Sequence, residues 1–479
     1  MAVEEMSDRA EESKEKQDPH IVRAESSASA LDNLSPALDN LPKPTVTYRP
    51  YSGPLRARRR RPRVLLLSML LLLTLLVAWA GIFGRHMLDS PPVQAKSNLS
   101  ELLSQGDFIG SPLDAGQVNA IRQLANHMTY KQLAKLYVSR MSLDEKLGQL
   151  FMVQSYDSTY SPDLEWMITK LHAGGVIMYA FQMQTFKQTH YDIAEMQKHA
   201  SIPLIIAADE EGGFVERIQN IFGHRPGALE IYGTGDPNNA AKAGHKIAHD
   251  LLSLGINTDL APDVDVPLAA GPDQYLRTWG YTAESVITFA GAYMRAVQDD
   301  HVIACIKHYP GLGAAKTDAH FSLPVIDRTR DQIYSVELAP FKTFIQSQNK
   351  LENPGMIMST DLSMPAIDPT YPAELSHTFM TDILRNEFGY DGVVITDALW
   401  MTGIAQHWNL EQAAVLALNA GNDMLLGAIG PYQMIAVLNA LKAALNDGTL
   451  SIERVNEAVT RIIALKLAYH LIPAIPLYA

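Results

Sequence analysis

The densest group of reactive side chains in the sequence lies between residues 307 and 320. Lys307 and His308 directly follow the apolar run Val302–Ile306, and Asp318 and His320 come after a glycine-containing turn. A carboxylate can orient one imidazole nitrogen while the other delivers a proton, so the Asp318–His320 pair suits general acid–base catalysis. The two cations, placed at the end of a buried strand, are suited to holding a polar substrate.

Asp397 is the candidate nucleophile. It directly follows the apolar run Val393–Thr396, which indicates a buried strand. A carboxylate at the end of such a strand can be held fixed and ionised, and glycoside cleavage needs a nucleophile or base together with a proton donor. These residue types therefore favour chemistry at a sugar.

Other charged side chains also follow apolar runs or lie in the loops after them. These residues are Asp209, Arg217, Asp263, Asp265, Arg277 and Asp361. Carboxylates and cations hydrogen-bond sugar hydroxyls in pairs, and the aromatic faces of Trp279 and Trp400 are available to stack on a sugar ring. Each of the aspartates at 263, 265 and 361, taken alone, could equally be a helix N-cap.

Eight apolar runs alternate with helical patterns from residue 121 onwards. The predicted strands are Gln149–Val153, Gly175–Tyr179, Leu204–Ala208, Thr258–Ala261, Val302–Ile306, Met356–Met358, Val393–Thr396 and Asp423–Leu426. The predicted helices include Asn238–Leu254, Ala283–Gln298, Ser335–Ser347, Leu410–Ala420, Pro431–Asn446 and Ile452–Tyr469. This alternation predicts an α/β fold, a (β/α)8 TIM-type barrel, in which the polar groups at the strand ends meet on one rim. The alternative, a doubly wound open sheet, rarely needs eight parallel strands, and no G-x-G-x-x-G turn supports dinucleotide binding.

One transmembrane helix is predicted for residues 64–84. The segment is almost wholly apolar and long enough to cross a bilayer, and six arginines lie just before it. Positive charge stays on the cytoplasmic side, so we expect a disordered cytoplasmic tail over residues 1–63, a linker over 85–120 and an extracytoplasmic catalytic domain over 121–479. The alternatives are a cleaved signal, because Ala78-Trp79-Ala80 fits an A-x-A pattern, and a buried core helix.

Composition restricts the partners and cofactors. The formal net charge is −13, which argues against nucleic acid as a ligand. Cys305 is the single cysteine, so an internal disulfide and a cysteine-rich metal site are both excluded. A metal site made of His308, His320 and an aspartate is possible, but no H-E-x-x-H spacing supports it. No cofactor is predicted.

Separated motifs in one order along the chain point to a family. They are Met141–Leu150, Asp209–Gly213, Ala261–Val266, Arg277–Gly280, Lys307–Gly311, Asp318–His320, Gly392–Asp397 and Ala420–Asp423. From about Met141 to Leu471 the chain resembles glycoside hydrolase family 3, specifically its single-domain β-N-acetylglucosaminidases (β-N-acetylhexosaminidases) of bacterial peptidoglycan turnover. The Asp-x-His loop after the Lys-His-aromatic-Pro-Gly turn separates these enzymes from the β-glucosidases of the same family.

The resemblance implies a role for each matching residue. Asp397 would be the nucleophile that forms a glycosyl-enzyme with net retention, and His320, oriented by Asp318 on a mobile loop, would be the acid/base. The residues implied to hold the terminal N-acetylglucosamine are Asp209, Arg217, Arg277, Lys307 and His308. No cofactor or metal is implied. We also expect the glycines between Lys307 and His320 to let the proton donor swing in and out.

The chain departs from the family pattern at four positions. Leu312 and Asp361 stand where the family often has His, Phe214 where it often has Arg, and Ala398 where it commonly has Asp. The resemblance implies an exo-acting retaining β-N-acetylglucosaminidase that acts on peptidoglycan-derived glycans. The alternatives are a β-glucosidase of the same family, a catalytically silent membrane-anchored glycan-binding protein, and phosphorolysis instead of hydrolysis.

Overall fold

The eight predicted strands form a closed barrel. The computed structural model describes residues 128–269 and 274–472. The strands are β1 Phe151–Gln154, β2 Gly175–Ile177, β3 Ile205–Ala208, β4 Thr258–Asp259, β5 Ile303–Tyr309, β6 Met356–Ser359, β7 Val393–Ala398 and β8 Met424–Ile429. They are parallel and close in chain order, with β1 paired to both β2 and β8. The predicted (β/α)8 barrel is therefore confirmed.

Each predicted apolar run overlaps one observed strand. Nearly all strand residues are buried, because side chains fill the barrel interior and helices cover its outside. Two strands extend beyond their apolar runs: β5 continues through Lys307 and His308, and β7 continues through Asp397 to Ala398. These polar residues are thus fixed by the strand ladder itself and do not lie in loops.

Helices separate the strands. The α-helices are α1 Tyr130–Val138, α2 Leu143–Gln149, α3 Pro162–Thr169, α4 Phe186–His199, α5 Gln219–Phe222, α6 Ala228–Gly233, α7 Pro237–Leu254, α8 Gln274–Arg277, α9 Ala283–Asp299, α10 Arg330–Gln332, α11 Ala339–Ile345, α12 Thr402–Ala405, α13 Leu410–Ala420, α14 Gly430–Asp447 and α15 Ile452–Ala468. Short 3-10 turns cover Ala180–Gln182, Lys350–Glu352 and Ala373–Leu375, and π-helical turns cover Ile333–Glu337 and Thr378–Glu387.

Local sequence explains where these helices begin and end. Asp236 accepts a hydrogen bond from the Asn238 backbone N–H at the start of α7, and Gly255 ends the helix with a left-handed φ of 94°. The helix predicted over Ser335–Ser347 is instead divided into a π-helical turn and α11. Pro340 lies in the first turn of α11, where its missing N–H is tolerated, so the regular helix begins there.

A buried ionic network ties the last helix to the base of the barrel. Asp423, just before β8, is fully buried and accepts hydrogen bonds from Arg385 Nη2 at 2.6 Å, Arg454 Nη2 at 2.7 Å and Arg461 Nη1 at 3.2 Å. Burial opposes ionisation of Asp423, but the three guanidinium charges outweigh it and lower the pKa of this carboxyl. The carboxylate therefore holds α15 against the strands from below.

Several predicted segments lie outside the described residues. The tail over 1–63, the transmembrane helix over 64–84 and the linker over 85–120 all precede residue 128, so each stays a prediction. Within the described residues, no helix has the length and apolar character that crossing a membrane requires.

Candidate active site

Lys307 is a buried cation between two carboxylates. Its Nζ lies 2.7 Å from Asp209 Oδ1 and 2.6 Å from Glu211 Oε1, and its side chain is 2% exposed. Burial alone would lower the pKa of Lys307, but the charges of Asp209 and Glu211 raise it above its ordinary value. The lysine is therefore a permanent positive charge at the C-terminal end of β5.

Glu211 joins this lysine to Arg277. Arg277 Nε and Nη2 each lie 2.8 Å from an oxygen of Glu211, which is the two-pronged geometry that suits a guanidinium and a carboxylate. Burial disfavours the charged form of Glu211, yet the charges of Arg277 and Lys307 lower the pKa of this carboxyl. A chain of alternating charges thus runs from Asp209 through Lys307 and Glu211 to Arg277.

His308 is held by Asp265. His308 Nδ1 lies 2.7 Å from Asp265 Oδ2, and the other oxygen of Asp265 accepts a hydrogen bond of 2.6 Å from the Leu312 backbone N–H. Burial lowers the pKa of His308, but the charge and hydrogen bond of Asp265, together with the charge of Asp263, outweigh burial and raise this pKa above its ordinary value. On its other side, His308 Nε2 lies 3.3 Å from Arg277 Nη2, so the histidine bridges Asp265 and the charge chain.

Asp263, Asp265 and His308 form a group that could bind a metal ion. Their oxygens and His308 nitrogen lie close enough together to hold an ion, whereas His308 and His320 do not form such a group within the described residues. Arg277 Nε lies 3.7 Å from Asp263 Oδ2, so a positive charge already faces this group. Burial and then the charge of Asp265 raise the pKa of Asp263 to about 7. Both carboxyls therefore already face nitrogen groups of the protein, Asp265 through His308 and Asp263 through Arg277.

Asp397 is half-buried at the end of β7. Its Oδ1 accepts a hydrogen bond of 2.8 Å from the Ala398 backbone N–H, and its Oδ2 lies 3.2 Å from Thr360 Oγ1. Both contacts come from strand ends, so they fix the carboxylate plane at the barrel mouth. This is the placement that a nucleophile requires.

Asp318 and His320 form a pair on the loop after β5. His320 Nδ1 and its backbone N–H each lie 2.8 Å from Asp318 Oδ1. The His320 side chain is 57% exposed and its ring centroid is 6.2 Å from that of Trp400. Because Nδ1 faces Asp318, Nε2 is the nitrogen available for proton transfer.

The glycines of this loop serve close packing. A Cβ at Gly311 would lie 2.8 Å from the Glu337 Cβ, and a Cβ at Gly313 would lie 1.8 Å from the Val266 carbonyl oxygen. Gly311 also has a φ of 125°, which other residues rarely adopt. In this structure both glycines lie against the barrel, and the exposed part of the loop begins at Lys316, so the expected movement of the proton donor stays a prediction.

One cleft brings most of the predicted residues together. Those that line it are Arg277, His308, Asp318, His320 and Asp397. The remaining three predicted residues do not line the cleft but are joined to it by ion pairs. Lys307 pairs with Glu211, which binds the cleft residue Arg277. Asp209 pairs with Lys307, and Arg217 Nη2 lies 3.7 Å from Asp209 Oδ2. The structure thus assembles the predicted residues at the C-terminal end of the barrel.

Two expectations are corrected. Trp279 is only 2% exposed, and its ring centroid lies 5.2 Å from that of Tyr293, so it belongs to the core and offers no face to a sugar. Trp400 is 42% exposed, so its ring is still available to stack on a sugar. The aspartates at 263, 265 and 361 cap no helix within the described residues. Asp263 instead accepts from the Asp265 backbone N–H at 2.8 Å.

Two functional side chains were not assigned from sequence. Glu211 sits in a run of three acids, and nothing in the run indicates that Glu210 turns to Arg225 at 2.7 Å while Glu211 turns to the site. Thr360 contacts Asp397, but a threonine after a strand carries no sequence signal. Both assignments need the three-dimensional placement.

The comparisons with known proteins agree with this geometry. Residues 142–465 match the Glycosyl hydrolase family 3 N terminal domain. The chain belongs to glycosyl hydrolase family 3. The family suggested by the motifs is therefore confirmed, and the match spans all eight strands and the cleft.

Similar proteins carry hexosaminidase names. The chain is 32% identical over 343 residues to Beta-hexosaminidase A of Pseudoalteromonas piscicida, a match covering 64% of this chain and 56% of that protein. It is 30% identical over 339 residues to Beta-hexosaminidase LpqI of Mycobacterium tuberculosis, covering 68% and 83%. The solved glycoside hydrolase family 3 beta-N-acetylglucosaminidase from Paenibacillus sp. str. FPU-7 superimposes with a TM-score of 0.66 at 34% identity, covering 69% and 63%. The chain thus spans little more than half the length of the first of these relatives.

Proposed function

We propose that this protein is an exo-acting, retaining β-N-acetylglucosaminidase. The observation that carries the proposal is the shared cleft, in which Asp397 lies together with the Asp318–His320 pair. The hexosaminidase names of the similar proteins support N-acetylglucosamine as the sugar. Peptidoglycan-derived fragments are the proposed natural substrate, since the motifs resemble those of enzymes that act on such fragments.

The proposed reaction has two steps. In the first, Asp397 attacks the anomeric carbon while His320 Nε2 gives a proton to the leaving oxygen, which produces a glycosyl-enzyme. In the second, the now neutral His320 takes a proton from water as the water attacks the same carbon and releases Asp397. Asp318 stabilises the protonated imidazole and fixes its orientation.

The charge chain has the complementary task of holding the sugar. Arg277 and His308 line the cleft, and the Arg277 N–H groups that Glu211 leaves free can donate to hydroxyls of the terminal residue. Lys307 and Glu211 lie behind them and keep their charge and position. Because these donors are paired before substrate arrives, they need little rearrangement on binding.

The first test is turnover of p-nitrophenyl N-acetyl-β-glucosaminide by the purified full chain. Asp397→Asn is expected to lower kcat by roughly 10³-fold or more, because the neutral amide cannot form the covalent intermediate. Asp299→Asn, a change at an exposed aspartate on α9, is the matched control and should leave kcat unchanged. Absence of turnover by the wild type, with Asp397→Ala no worse, would overturn the proposal.

A second test separates the roles of His320. With a nitrophenyl leaving group the first step needs little acid, whereas attack by water still needs the base. His320→Ala should therefore release a burst of nitrophenolate and then slow, as glycosyl-enzyme accumulates. Parallel assays with the corresponding β-glucoside, and with added phosphate followed by identification of the sugar product, distinguish the glucosidase and phosphorolytic alternatives.

We further propose that the catalytic domain is held at the outer side of the cell membrane by residues 64–84. The support is the apolar run with arginines on one side only. Fractionation of cells that express the chain, with and without residues 64–84, tests this. Recovery of the intact chain in the soluble fraction would contradict the anchor, and recovery of a shortened chain would favour the cleaved signal.

A further inference from the structure

Two buried carboxyl groups lie near Asp397. Asp361 and Glu374 are both 0% exposed. Among the residues that the structure describes, none provides a hydrogen-bond partner for Asp361 Oδ2 or for either oxygen of Glu374. The proposed reaction uses neither residue, yet an ionised carboxylate without partners is among the most costly groups to bury.

Asp361 touches the nucleophile through one hydroxyl group. Thr360 Oγ1 lies 3.4 Å from Asp361 Oδ1 and 3.2 Å from Asp397 Oδ2, and the Thr360 side chain is fully buried. The hydroxyl has a single hydrogen. It can therefore donate to one of the two carboxyl groups and must face the other with a lone pair.

The charges in this region decide which group is ionised. The groups facing Asp361 are Asp397 from β7, Glu374 from the 3-10 turn at 373–375, and Asp318 from the loop after β5, which pairs with His320. Burial, then the charge of Asp397, raise the pKa of Asp361 to about 9, and the pKa of Glu374 also lies well above its ordinary value. Asp397 is half-buried, whereas Asp361 and Glu374 are fully buried, and its Oδ1 accepts a hydrogen bond from the Ala398 backbone N–H.

We propose that Asp361 is a protonated carboxylic acid that donates through Oδ1 to Thr360 Oγ1, so that the single Thr360 hydrogen is directed at Asp397 Oδ2. This inference rests on the proposed role of Asp397 as nucleophile. Asp361 is then a positioning residue, because it acts on the nucleophile only through Thr360. The unpartnered Oδ2 becomes the carbonyl oxygen of a neutral acid, which is far less costly to bury than a charged one.

Gly403 makes room for this acid. A Cβ at Gly403 would lie 2.1 Å from Asp361 Oδ2, so only glycine fits over the carboxyl group. The Gly403 backbone N–H donates to the Ala319 carbonyl at 3.1 Å, and Ala319 stands between Asp318 and His320. Asp361 therefore lies between the nucleophile and the loop that carries the acid/base, where its charge state affects both.

The proton itself is tested by infrared spectroscopy of the full chain. At neutral pH the difference spectrum between wild type and Asp361→Asn is expected to contain the C=O stretch of one neutral carboxylic acid. In the wild type this band should disappear with a midpoint at about pH 9. A difference spectrum with only carboxylate bands at neutral pH would overturn the proposal. This readout needs no turnover, so it stands apart from any failure of the proposed function.

The relay from Asp361 through Thr360 to Asp397 is tested by kinetics on variants of Thr360 and Asp361. Thr360→Val removes the hydrogen bond directed at Asp397, and Asp361→Ala removes the donor that orients it. Each should lower kcat/KM for nitrophenolate release, which reports formation of the glycosyl-enzyme, by about tenfold or more. The double variant should be no slower than either single one. Thr360→Ser keeps the hydroxyl and Asp361→Asn keeps a donor, so each should recover most of the rate that the matching truncation loses.

The pH profile distinguishes the relay from a structural role. The kcat/KM of the wild type for nitrophenolate release should fall as Asp361 ionises, because two carboxylates then compete for one hydroxyl hydrogen. Asp361→Asn cannot ionise and should lack this fall. Additive losses in the double variant, or a profile of Asp361→Asn that matches the wild type above about pH 9, would refute the relay.

Discussion

Lys466 is a buried lysine with no carboxylate partner in the described part of the chain, and it makes the stability of the barrel depend on pH in the direction opposite to that of an ion-paired lysine. Its side chain is 0% exposed, and Nζ donates to Gln149 Oε1 at 2.7 Å. Burial lowers the pKa of Lys466 from 10.5 to about 7. Between these values the unfolded chain binds a proton that the folded chain does not, so this group's contribution to stability rises with pH across that window.

Replacement of Lys466 by methionine removes the ionisable group and keeps most of its volume. We compare the pKa of Lys466 in the unfolded chain, 10.5, with its pKa of about 7 in the folded chain. Proton linkage then predicts that the free energy of unfolding of the variant exceeds that of the wild type by roughly 5 kcal/mol near pH 6 and roughly 2 kcal/mol near pH 9. The lost hydrogen bond to Gln149 subtracts about 1 kcal/mol at both pH values. The decisive quantity is therefore the decline of the gain with pH, about 2 to 3 kcal/mol.

Urea unfolding of the two full chains, followed by tryptophan fluorescence at pH values from about 6 to 9, measures this decline. Lys442→Met is the matched control, because Lys442 is 41% exposed and pairs with an exposed aspartate. Its effect should stay within about 0.5 kcal/mol at every pH. A gain for Lys466→Met that is constant over this range would show that the folded protein keeps the proton, and the reasoning from burial would fail.

Three further outcomes are expected. Gly403→Ala places a Cβ 2.1 Å from Asp361 Oδ2 and should lower kcat by about tenfold or more. The control Gly233→Ala, at a glycine with open space around it, should leave kcat unchanged. Equal kcat values for the two variants would contradict the packing argument. Asp423→Ala removes the buried carboxylate shared by three arginines and leaves Arg385 without a carboxylate partner among the described residues. It should reduce the free energy of unfolding by about 3 to 5 kcal/mol in urea; a loss below about 1 kcal/mol would show that water solvates the guanidinium groups. Glu211→Gln removes the charge shared by a lysine and an arginine and should raise KM by about tenfold, measured by steady-state kinetics; an unchanged KM would place the substrate elsewhere.

The barrel was predictable because its signals are local and repeated. Runs such as Val302–Ile306 and Val393–Thr396 are apolar, β-branched and of strand length, and the polar residues that follow them mark the C-terminal ends. The chain order of the strands then follows from the fold. Strand ends were less predictable. Backbone hydrogen bonding extends β5 and β7 into polar residues, and a prediction based on hydropathy ends each strand before those residues.

The residues of the candidate site could be predicted from their types, but the contacts that each of them makes could not. Lys307 and Asp397 follow from charge at strand ends, and Asp318 follows from the Asp-x-His pattern in the next loop, but the neighbours of all three depend on side-chain direction. Nothing in sequence shows that Thr360 hydrogen-bonds the nucleophile or that Trp279 turns into the core. Such choices are made by packing across the barrel, over sequence separations that local patterns do not reach.

The buried charge chain and the exposed acid/base have different tolerance to change. Lys307 is 2% exposed and locked by two carboxylates, whereas His320 is 57% exposed on a loop. A substitution in the buried charge chain disturbs several partners at once, whereas a substitution in the exposed acid/base loop disturbs only the Asp318–His320 pair. In laboratory evolution of this protein, sugar preference should therefore resist stepwise change, while turnover and leaving-group range should respond to single substitutions in the loop.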